Sequence, residues 1–466
     1  MTVELKSEIT LKEIYAVTES KSAVPAQGNG NIGKSLVKRI VTDSREAELG
    51  DLFVGIKGER YNGNDYISEA RARGAYTLSD EDKSADIFVA SAYSALGNIA
   101  ALYKTRLKSL KATVAITGSV GKTTTKDFIT SLLSNYARVH ATRGNENNLL
   151  GVPFTIFSAP QDTELLIIEA GMNHPGELSR ISRIIRPDIA LITNIGTAHI
   201  GNFGSREAIA RAKLELFDYA RAGASLFIPY GEPLLSEAPS AIRIAEGFEK
   251  KADFSIVRAK DQARLSGDLY AKGERLFSFC TGVSARQLLP NLGFAFAVCS
   301  MLGMTPKEIS ASATGLSDND TRLRTFKIGA LTVIDDAYNS SREAVSGALL
   351  HLKEMSARPR CALLGDMLEL GYMAEVIHDE VGRLAADSVD RLYACGEYKE
   401  AIVRGARNNG LPEEHIKVLD CTAPDEIART ILEDLDRGAL LIKGSHATGL
   451  YRVGELLLKS GGKNEF

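Results

Sequence analysis

The feature that most constrains the fold is a short stretch where a strand pattern gives way to a glycine-containing loop and then to a helix. Residues Thr113–Thr117 are β-branched or apolar, which is typical of a buried strand, and the residues from Lys122 onward predict a helix. Between them, Gly118 and Gly121 let the backbone curl so that successive N–H groups point inward, and the helix adds the positive end of its dipole. Such a concavity suits a polyanion, and the strand–loop–helix order is that of an α/β protein.

The side chains of this loop also suit a phosphate group. In the pattern Gly-x-x-Gly-Lys-Thr, which ends at Lys122 and Thr123, the lysine can reach a terminal phosphate and the hydroxyl can ligate Mg²⁺. The standard phosphate loop has a further glycine where this chain has Ile116, so the loop is a compact variant. We therefore predict phosphate binding here; the alternative is an ordinary glycine-containing turn between a strand and a helix.

Composition excludes several classes of protein. With 466 residues, 44% hydrophobic and 25% charged, the chain has the length and make-up of a globular protein of two to four domains. A net charge of -3 argues against a nucleic-acid or polybasic membrane role. The N-terminus lacks the pattern of a signal peptide, and the uncharged stretch 287–303 is interpreted as a buried helix rather than a membrane span. We expect a cytoplasmic protein.

The five cysteines are scattered along the chain, with no close pair. This spacing fits buried thiols in a reducing compartment better than a disulfide framework or a zinc site.

The pattern of strands and helices divides the chain into three α/β sections, with boundaries at residues 1–110, 111–321 and 322–466. The middle section alternates strands with helices, as a parallel sheet with crossover helices requires. The last section predicts a second, smaller open α/β sheet whose strand ends carry polar residues. A ligand would bind at those ends.

Two residues of the middle section follow buried strands at the edge where open α/β sheets bind ligands. Glu169 ends the apolar run Leu165–Ile168, and beside a phosphate loop its carboxylate would complete a Mg²⁺ site. His199 follows the next strand, Ile189–Asn194, and shares that edge, which favours metal ligation. The alternatives are a capped strand end for the glutamate and a structural role for the histidine.

Lys213 is the most unusual residue of a helix predicted over residues 206–222. It falls within an apolar stripe at helical spacing. The stripe consists of Ile209, Ala212, Leu216 and Phe217. Spacing alone leaves two interpretations open: a boundary lysine whose head reaches water, or a lysine that faces the active site. Similarly, Ser44 and Arg45 in the first section are equally compatible with a surface turn and with ligand contact.

Several motifs together resemble the Mur ligases, the ATP-dependent amide-forming enzymes that assemble the peptidoglycan stem peptide. The resemblance covers all three sections. Its motifs are the loop 117–126, Asp43-Ser44-Arg45, the loop 147–153, residues 194–199, Ala212-Lys213, residues 335–339, 364–371 and Lys443-Gly444-Ser445. Ser119, residues 173–177 and the run 364–371 are closest to the branch that adds D-Ala-D-Ala to UDP-MurNAc-tripeptide.

The resemblance implies a reaction and its participants. The terminal carboxylate of the tripeptide would attack the γ-phosphate of ATP to give an acyl phosphate, and the amine of D-Ala-D-Ala would then attack that carbonyl. The three sections would be a UDP-MurNAc-tripeptide-binding domain, a central ATP-binding domain and a C-terminal Rossmann-like domain. ATP and Mg²⁺ would be required. We expect a monomer with no nucleic-acid partner and no stable membrane association.

The resemblance also implies site residues. Lys122, Lys213 and His199 would be catalytic, with Lys213 carbamylated, and His174 is a candidate base. The ATP-binding set would be Gly118, Ser119, Gly121, Lys122, Thr123, Thr124, Asn291, Arg322 and Asp336. The substrate-binding set would be Ser44, Arg45, Asn148 and Asn339. The Mg²⁺ ligands would be Thr123, Glu169, His199 and Lys213.

The chain departs from the family pattern at three places. Gln287 stands where a histidine is frequent, Ser340-Ser341-Arg342 replaces Ala-Asn-Pro after Asn339, and Asn62-Gly63-Asn64 replaces Asp-Gly-His. Two other functions stay open: a different ligase of the superfamily, such as a folylpolyglutamate synthase, and a phosphate-loop binding protein without ligase activity.

Overall fold

The computed structural model describes residues 1–20, 35–58, 60–238, 240–260, 262–318 and 323–460. Their strands form three separate sheets of five, nine and six strands, with helices between strands in each region. The prediction of an α/β protein with three sheet-containing sections is therefore confirmed.

The five-stranded sheet has the order β1-β2-β3-β4-β5. Its first two strands are antiparallel and the other neighbours are parallel. Its strands are β1 (Thr2–Thr10), β2 (Leu36–Val41), β3 (Leu52–Val54), β4 (Tyr76–Ser79) and β5 (Ile87–Phe88). The helices of this region are α1 (Leu11–Thr18), α2 (Ile67–Ala72) and α3 (Ala92–Lys104). A capping box at Thr10 and Glu13 sets the start of α1.

The nine-stranded sheet contains the strand of the predicted phosphate loop near one end of the order β14-β13-β12-β11-β10-β9-β6-β8-β7. Its strands are β6 (Ala112–Thr117), β7 (Val139–Ala141), β8 (Leu165–Glu169), β9 (Ile189–Ile192), β10 (Ser225–Pro229), β11 (Ile242–Glu246), β12 (Phe254–Arg258), β13 (Ser266–Ala271) and β14 (Glu274–Cys280). The helices are α4 (Lys122–Leu133), α5 (Gly151–Phe157), α6 (Glu177–Ile185), α7 (Ile200–Phe203), α8 (Arg206–Leu214), α9 (Leu289–Met301) and α10 (Pro306–Ala313).

Two details of the middle section differ from the prediction. Strict alternation of strand and helix stops after β10, since only a 3₁₀ turn precedes β11 and the strands β11 to β14 follow one another. Of these, β12, β13 and β14 pair antiparallel. The helix predicted over residues 206–222 ends at Leu214 and continues as a 3₁₀ turn over Glu215–Phe217. Beyond the helix, the Ser182 hydroxyl donates to Leu216 O at 2.7 Å and accepts from Tyr219 N at 3.2 Å, which holds the chain in this turn.

The six-stranded sheet has the order β15-β16-β20-β17-β18-β19 and is parallel except for the pair β15/β16. Its strands are β15 (Arg324–Ile328), β16 (Ala330–Asp336), β17 (Arg360–Leu364), β18 (Arg391–Ala394), β19 (Ile416–Val418) and β20 (Arg437–Lys443). Its helices are α11 (Arg342–Glu354), α12 (Ala374–Ala386), α13 (Lys399–Asn408), α14 (Pro424–Asp434) and α15 (Tyr451–Ser460). Buried Leu331, Leu363 and Leu440 belong to its core.

The chain divides into two compact units. The first contains residues 1–117, 133–191 and 214–226, and the second contains residues 118–132, 192–213 and 227–466. Thus the phosphate loop, the segment after β9 and the whole six-stranded region belong to the second unit.

Two sequence-based expectations on local structure have opposite outcomes. The uncharged stretch 287–303 forms α9, whose residues are mostly buried, as predicted. Among the described helices, none combines the length and apolarity needed to cross a lipid bilayer.

The expectation that all five cysteines are thiols is wrong for one pair, because Cys395 and Cys421 form a disulfide with their Cα atoms 5.5 Å apart. They are 26 residues apart in sequence, and only the fold brings them together.

Candidate active site

The loop between β6 and α4 is held by the segment that follows β9. Asn194 accepts hydrogen bonds at Oδ1 from the backbone N–H groups of Ser119 (3.1 Å) and Val120 (3.0 Å). In return, the Ser119 hydroxyl accepts from Gly196 N at 2.8 Å. Thr193 Oγ1 donates to Val120 O at 2.6 Å. Four hydrogen bonds to the segment after β9 thus hold the loop in place.

The two loop glycines are required by this close packing. Gly118 has a φ of +152°, and a Cβ added there would come within 1.9 Å of Thr193 Oγ1. Gly121 has a φ of +81°, and its Cβ would lie 2.3 Å from Asn291 Nδ2. A side chain at Gly118 would displace Thr193, and one at Gly121 would displace the side chain of Asn291 in α9. The glycine pattern in the sequence therefore reports a real steric constraint.

Lys122 is the first residue of α4, where the N–H groups of a helix point out of its end and favour negative charge. Its ammonium donates to Gly118 O at 2.7 Å and so lies over the loop. Asn291 is buried against the same loop, where its Nδ2 donates to Thr125 Oγ1 at 2.8 Å and to Gly121 O at 3.2 Å. Asn291, which the resemblance assigns to the ATP-binding set, thus also supports the loop between β6 and α4.

Lys213 is buried in α8, with 2% of its surface exposed. The interpretation as a boundary lysine with its head in water is therefore excluded. Burial, and next the charge of Lys122, lower the pKa of Lys213 well below its usual value. The Lys213 side chain is consequently a buried amine that loses its proton more easily than an exposed lysine does, close to the cation of the phosphate loop.

A second buried lysine organises the residues after β16. Lys443, at the end of β20, is 1% exposed, and its ammonium lies 3.0 Å from the Asp336 carboxylate. It also donates to the carbonyls of Asp336, at 3.1 Å, and of Asn339. The predicted nucleotide residue Asp336 and substrate residue Asn339 are therefore held together by a lysine that the sequence did not identify as part of the site.

Residues of the six-stranded region contact the segment 196–204 at two further points. Glu343, in the first turn of α11, accepts from Thr197 N and from Thr197 Oγ1, both at 3.1 Å. The Glu369 carboxylate pairs with Nδ1 of His199. Both glutamates lie far from these partners in sequence, so spacing gave no signal for the contacts. Membership of Glu369 in the motif run 364–371 was the only hint.

In the first unit, Glu169 occupies the end of β8 as predicted. It is 1% exposed, and it pairs with Ile116 in the register of β6 and β8. Its Oε1 accepts from Asn147 Nδ2 at 2.8 Å. The side chain of the neighbouring Asn148 instead faces the start of α5, where its Oδ1 accepts from Gly151 N at 2.8 Å. Asn147 is thus the residue of this loop that touches the predicted metal ligand.

The predicted substrate residues of the first section lie in a 3₁₀ turn. Ser44 is buried and donates to Glu69 Oε2 at 3.2 Å. Arg45 is largely exposed and pairs with Asp43 at 2.6 Å, and hydrogen bonds from Arg45 lower the pKa of Asp43 to about 2.

The candidate base His174 is also exposed. Arg322, predicted to contact the nucleotide, lies outside the described residues.

Within the described ranges, no three His, Cys, Asp or Glu side chains cluster as a preformed metal site. The predicted Mg²⁺ set contains only two residues of these types, Glu169 and His199, together with a threonine and a lysine. The predicted Mg²⁺ ligand set therefore also depends on Thr123 and on a modified Lys213. This ligand set stays a prediction.

Comparisons with known proteins place the chain in a family. Residues 116–299 match the Mur ligase middle domain, and residues 321–446 match the Mur ligase, glutamate ligase domain. The UDP-N-acetylmuramoyl-tripeptide–D-alanyl-D-alanine ligase of Bacillus subtilis is 31% identical over 462 residues, which cover 97% of this chain and 98% of the relative. The chain belongs to the Mur ligase family.

Solved structures agree with this membership. MurF from Acinetobacter baumannii superimposes with a TM-score of 0.84 at 27% identity, covering 98% of this chain and all of that one. MurF from Thermotoga maritima, solved in complex with ADP, has a TM-score of 0.78 at 26% identity, covering 91% of this chain and 97% of that one. The Mur ligase fold thus extends over nearly the whole chain, including its first section.

Proposed function

We propose that this Mur ligase uses ATP to join D-Ala-D-Ala to UDP-MurNAc-tripeptide and so forms the pentapeptide precursor of peptidoglycan. The observation that carries the proposal is the pairing of a rigid phosphate loop with a buried amine, Lys213, beside Lys122. The similarity over nearly the full length of tripeptide–D-alanyl-D-alanine ligases supports the choice of substrates.

The first step places the terminal carboxylate of the tripeptide against the γ-phosphorus of ATP. A carboxylate oxygen forms a bond to phosphorus as the bond to the β,γ-bridging oxygen breaks, which gives an acyl phosphate and ADP. Such a transfer depends on positioning and on neutralising charge more than on covalent catalysis. Lys122 and the N-terminus of α4 supply fixed positive charge for the phosphates.

In the second step, the amine of D-Ala-D-Ala attacks the acyl carbon, loses a proton, and phosphate leaves with the oxygen that came from the carboxylate. His174 is a candidate for the base that accepts the proton. We assign ATP contacts to Gly118, Ser119, Gly121, Thr124, Asn291, Arg322 and Asp336, and substrate contacts to Ser44, Arg45, Asn148 and Asn339.

The residues also suit Mg²⁺. The Thr123 hydroxyl and the Glu169 carboxylate are hard oxygen donors, and a neutral imidazole such as that of His199 is a further possible ligand. Mg²⁺, when bound, would neutralise phosphate and carboxylate charge. A cationic Lys213 would oppose the metal, whereas a carbamate at Nζ would offer an anionic oxygen ligand.

The environment of Lys213 favours that modification. Burial lowers the pKa of the ammonium, so the neutral amine is available to attack the carbon of CO₂. The new N–C bond forms, one proton leaves the nitrogen, and the side chain gains a negative charge. We propose this carbamate as the fourth ligand of the metal set.

We further propose that the domains follow the limits 1–110, 111–321 and 322–466, each of which contains one of the three sheets. The protein would act as a monomer in the cytoplasm, where ATP is available.

The proposal is tested with the purified full chain, ATP, Mg²⁺, D-Ala-D-Ala and each candidate UDP-MurNAc-tripeptide, with products identified by mass spectrometry. We expect a pentapeptide product and one ADP for each amide formed. ATP consumption with a different amine donor would instead identify another ligase of the superfamily. Tight ATP binding with no product would indicate a binding protein.

A further inference from the structure

The contact between His199 and Glu369 is one part of a larger contact between two segments that are far apart in sequence. The Glu369 carboxylate pairs with His199 Nδ1. Beside it, Gly201 N donates to Glu369 O at 2.9 Å, and the Tyr372 hydroxyl donates to Gly204 O at 3.2 Å. Side-chain and backbone groups of both segments therefore fix this arrangement together.

The backbone of both partners takes a conformation that non-glycine residues rarely adopt. His199 has a φ of 64° and Glu369 a φ of 63°. Each such residue costs roughly 1–2 kcal/mol, so the surrounding contacts must stabilise it. Strain of this kind is concentrated at functional sites, and here it occurs on both sides of one hydrogen bond.

Close packing of two glycines makes the contact possible. A Cβ added to Gly201 would lie 2.7 Å from Gly371 N, and one added to Gly371 would lie 2.9 Å from Gly201 Cα. Side chains at these positions would separate the segments and remove Glu369 from the imidazole.

We infer that Glu369 is a positioning residue for His199. The inference rests on the proposed function, in which His199 holds Mg²⁺ through its ring. A carboxylate on Nδ1 fixes the tautomer that carries the proton there, so the lone pair of Nε2 is available for a metal. Carboxylates that orient histidine ligands in this way typically change metal affinity by roughly 10- to 100-fold.

The simpler alternative is a surface ion pair without functional consequence. The Glu369 side chain is 48% exposed, and exposed pairs contribute little to stability. The two interpretations differ in what they predict for the ring: only a positioning role makes the tautomer of His199 and its metal affinity depend on Glu369.

The inference also links metal binding to the position of the six-stranded region. Glu369 follows β17 of that sheet, whereas His199 follows β9 of the nine-stranded sheet. A movement that separates these segments would remove the partner of Nδ1. His199 would then be oriented for the metal only while the 369–372 segment is docked on residues 199–204.

The first experiment reads the tautomer directly. In the full chain labelled with ¹⁵N-histidine, the ring nitrogens of His199, assigned with a His199→Gln variant, should show the proton on Nδ1. Glu369→Ala should shift the population toward the Nε2–H form. Glu369→Gln should keep most of the Nδ1–H form, because the amide oxygen still accepts. Glu375→Ala, which removes an exposed charge six residues away, is the matched control and should leave His199 unchanged.

The second experiment measures Mg²⁺ binding by calorimetry in the presence of ADP. Glu369→Ala should weaken it roughly 10- to 100-fold, Glu369→Gln should restore most of the loss, and Glu375→Ala should match the wild type. Suppose that the wild type forms pentapeptide, and that Glu369→Ala keeps the wild-type tautomer of His199 and the wild-type Mg²⁺ affinity. That result would overturn the inference and leave the proposed function intact. A wild type that forms no amide product would overturn the proposed function, and the ring spectra would still decide whether Glu369 orients His199.

Discussion

Two buried lysines of this Mur ligase have opposite surroundings. Lys443 ends a strand of the six-stranded sheet, with an Asp336 carboxylate oxygen 3.0 Å from its ammonium and two backbone carbonyls as further acceptors. Lys213 lies in α8, and in the described part of the chain no carboxylate comes within 4.0 Å of its ammonium. The charge that affects Lys213 most is the like charge of Lys122.

The difference separates a structural lysine from a chemical one. A buried ammonium costs several kcal/mol unless a partner compensates it, and a group without compensation lowers its pKa instead. Lys443 keeps a counter-charge and joins the ends of β16 and β20. Lys213 has none among the described residues, so its pKa is lowered and the neutral, nucleophilic amine becomes easier to form in the proposed active site.

The largest effect is expected for the cation beside Lys213. Lys122→Ala should lower ADP release, with both substrates present, on the order of a thousandfold, because the fixed charge on the phosphates is lost. Exposed Lys111, which pairs with Glu164 at the start of β6, provides the control, and Lys111→Ala should retain full activity. Normal turnover by the Lys122 variant would remove the phosphate loop from the mechanism.

Replacing the structural lysine should lower the stability of the fold. Lys443→Met removes the ion pair between the buried ammonium and the Asp336 carboxylate, and should lower the free energy of unfolding by about 3–5 kcal/mol. Urea denaturation measures the change. The same substitution at the other position, Lys213→Met, should not lower the free energy of unfolding. Equal losses from both variants would break the comparison.

The chemical lysine should respond to added acids. Lys213→Ala should lower turnover roughly a hundredfold, since the anionic ligand is lost, and short carboxylic acids should restore part of it by occupying the space of the carbamate. Acetate and formate, titrated against the variant and the wild type, provide the measurement. Absence of any rescue, with ATP still bound, would count against the carbamate.

The smallest expected effect is a pH dependence of stability. The pKa of Lys213 is lower in the folded chain than in the unfolded one, so the unfolded state binds the proton first as the pH falls. In CO₂-free buffer, this residue should therefore make the protein less stable as the pH decreases below the unfolded pKa. As the pH decreases over this range, the free energy of unfolding of Lys213→Met should therefore increase relative to that of the wild type. A constant difference between pH 7 and pH 10 would contradict a lowered pKa.

Local features of the sequence predicted the strand, the glycine-containing loop and the helix of the candidate site. The glycines at 118 and 121, the lysine at 122 and the strand before them act within a few residues, so their pattern could be recognised without knowledge of the overall fold. The same reasoning did not decide whether the head of Lys213 reaches water or faces the active site. An apolar stripe at helical spacing does not show which part of the fold packs against that face of the helix. The resemblance to a family was needed to favour the interpretation as an active-site lysine.

The contacts that depend on the overall fold were not predicted. Asp336 and Lys443 are 107 residues apart, Thr197 and Glu343 146, and His199 and Glu369 170, so no spacing rule connects them. One missed element did have a local signal. Lys272 and Gly273 both have positive φ between β13 and β14, as a two-residue hairpin turn requires, and a glycine at the second position is typical of such turns.

The most direct test of the proposed chemistry follows one oxygen atom. UDP-MurNAc-tripeptide labelled with ¹⁸O in both oxygens of its terminal carboxylate is incubated with the enzyme, ATP and D-Ala-D-Ala, and the released phosphate is analysed by mass spectrometry. If the carboxylate attacks the γ-phosphate, each phosphate should contain one ¹⁸O and the new amide should retain the other. Unlabelled phosphate released together with amide product would contradict an acyl phosphate and the account built on it.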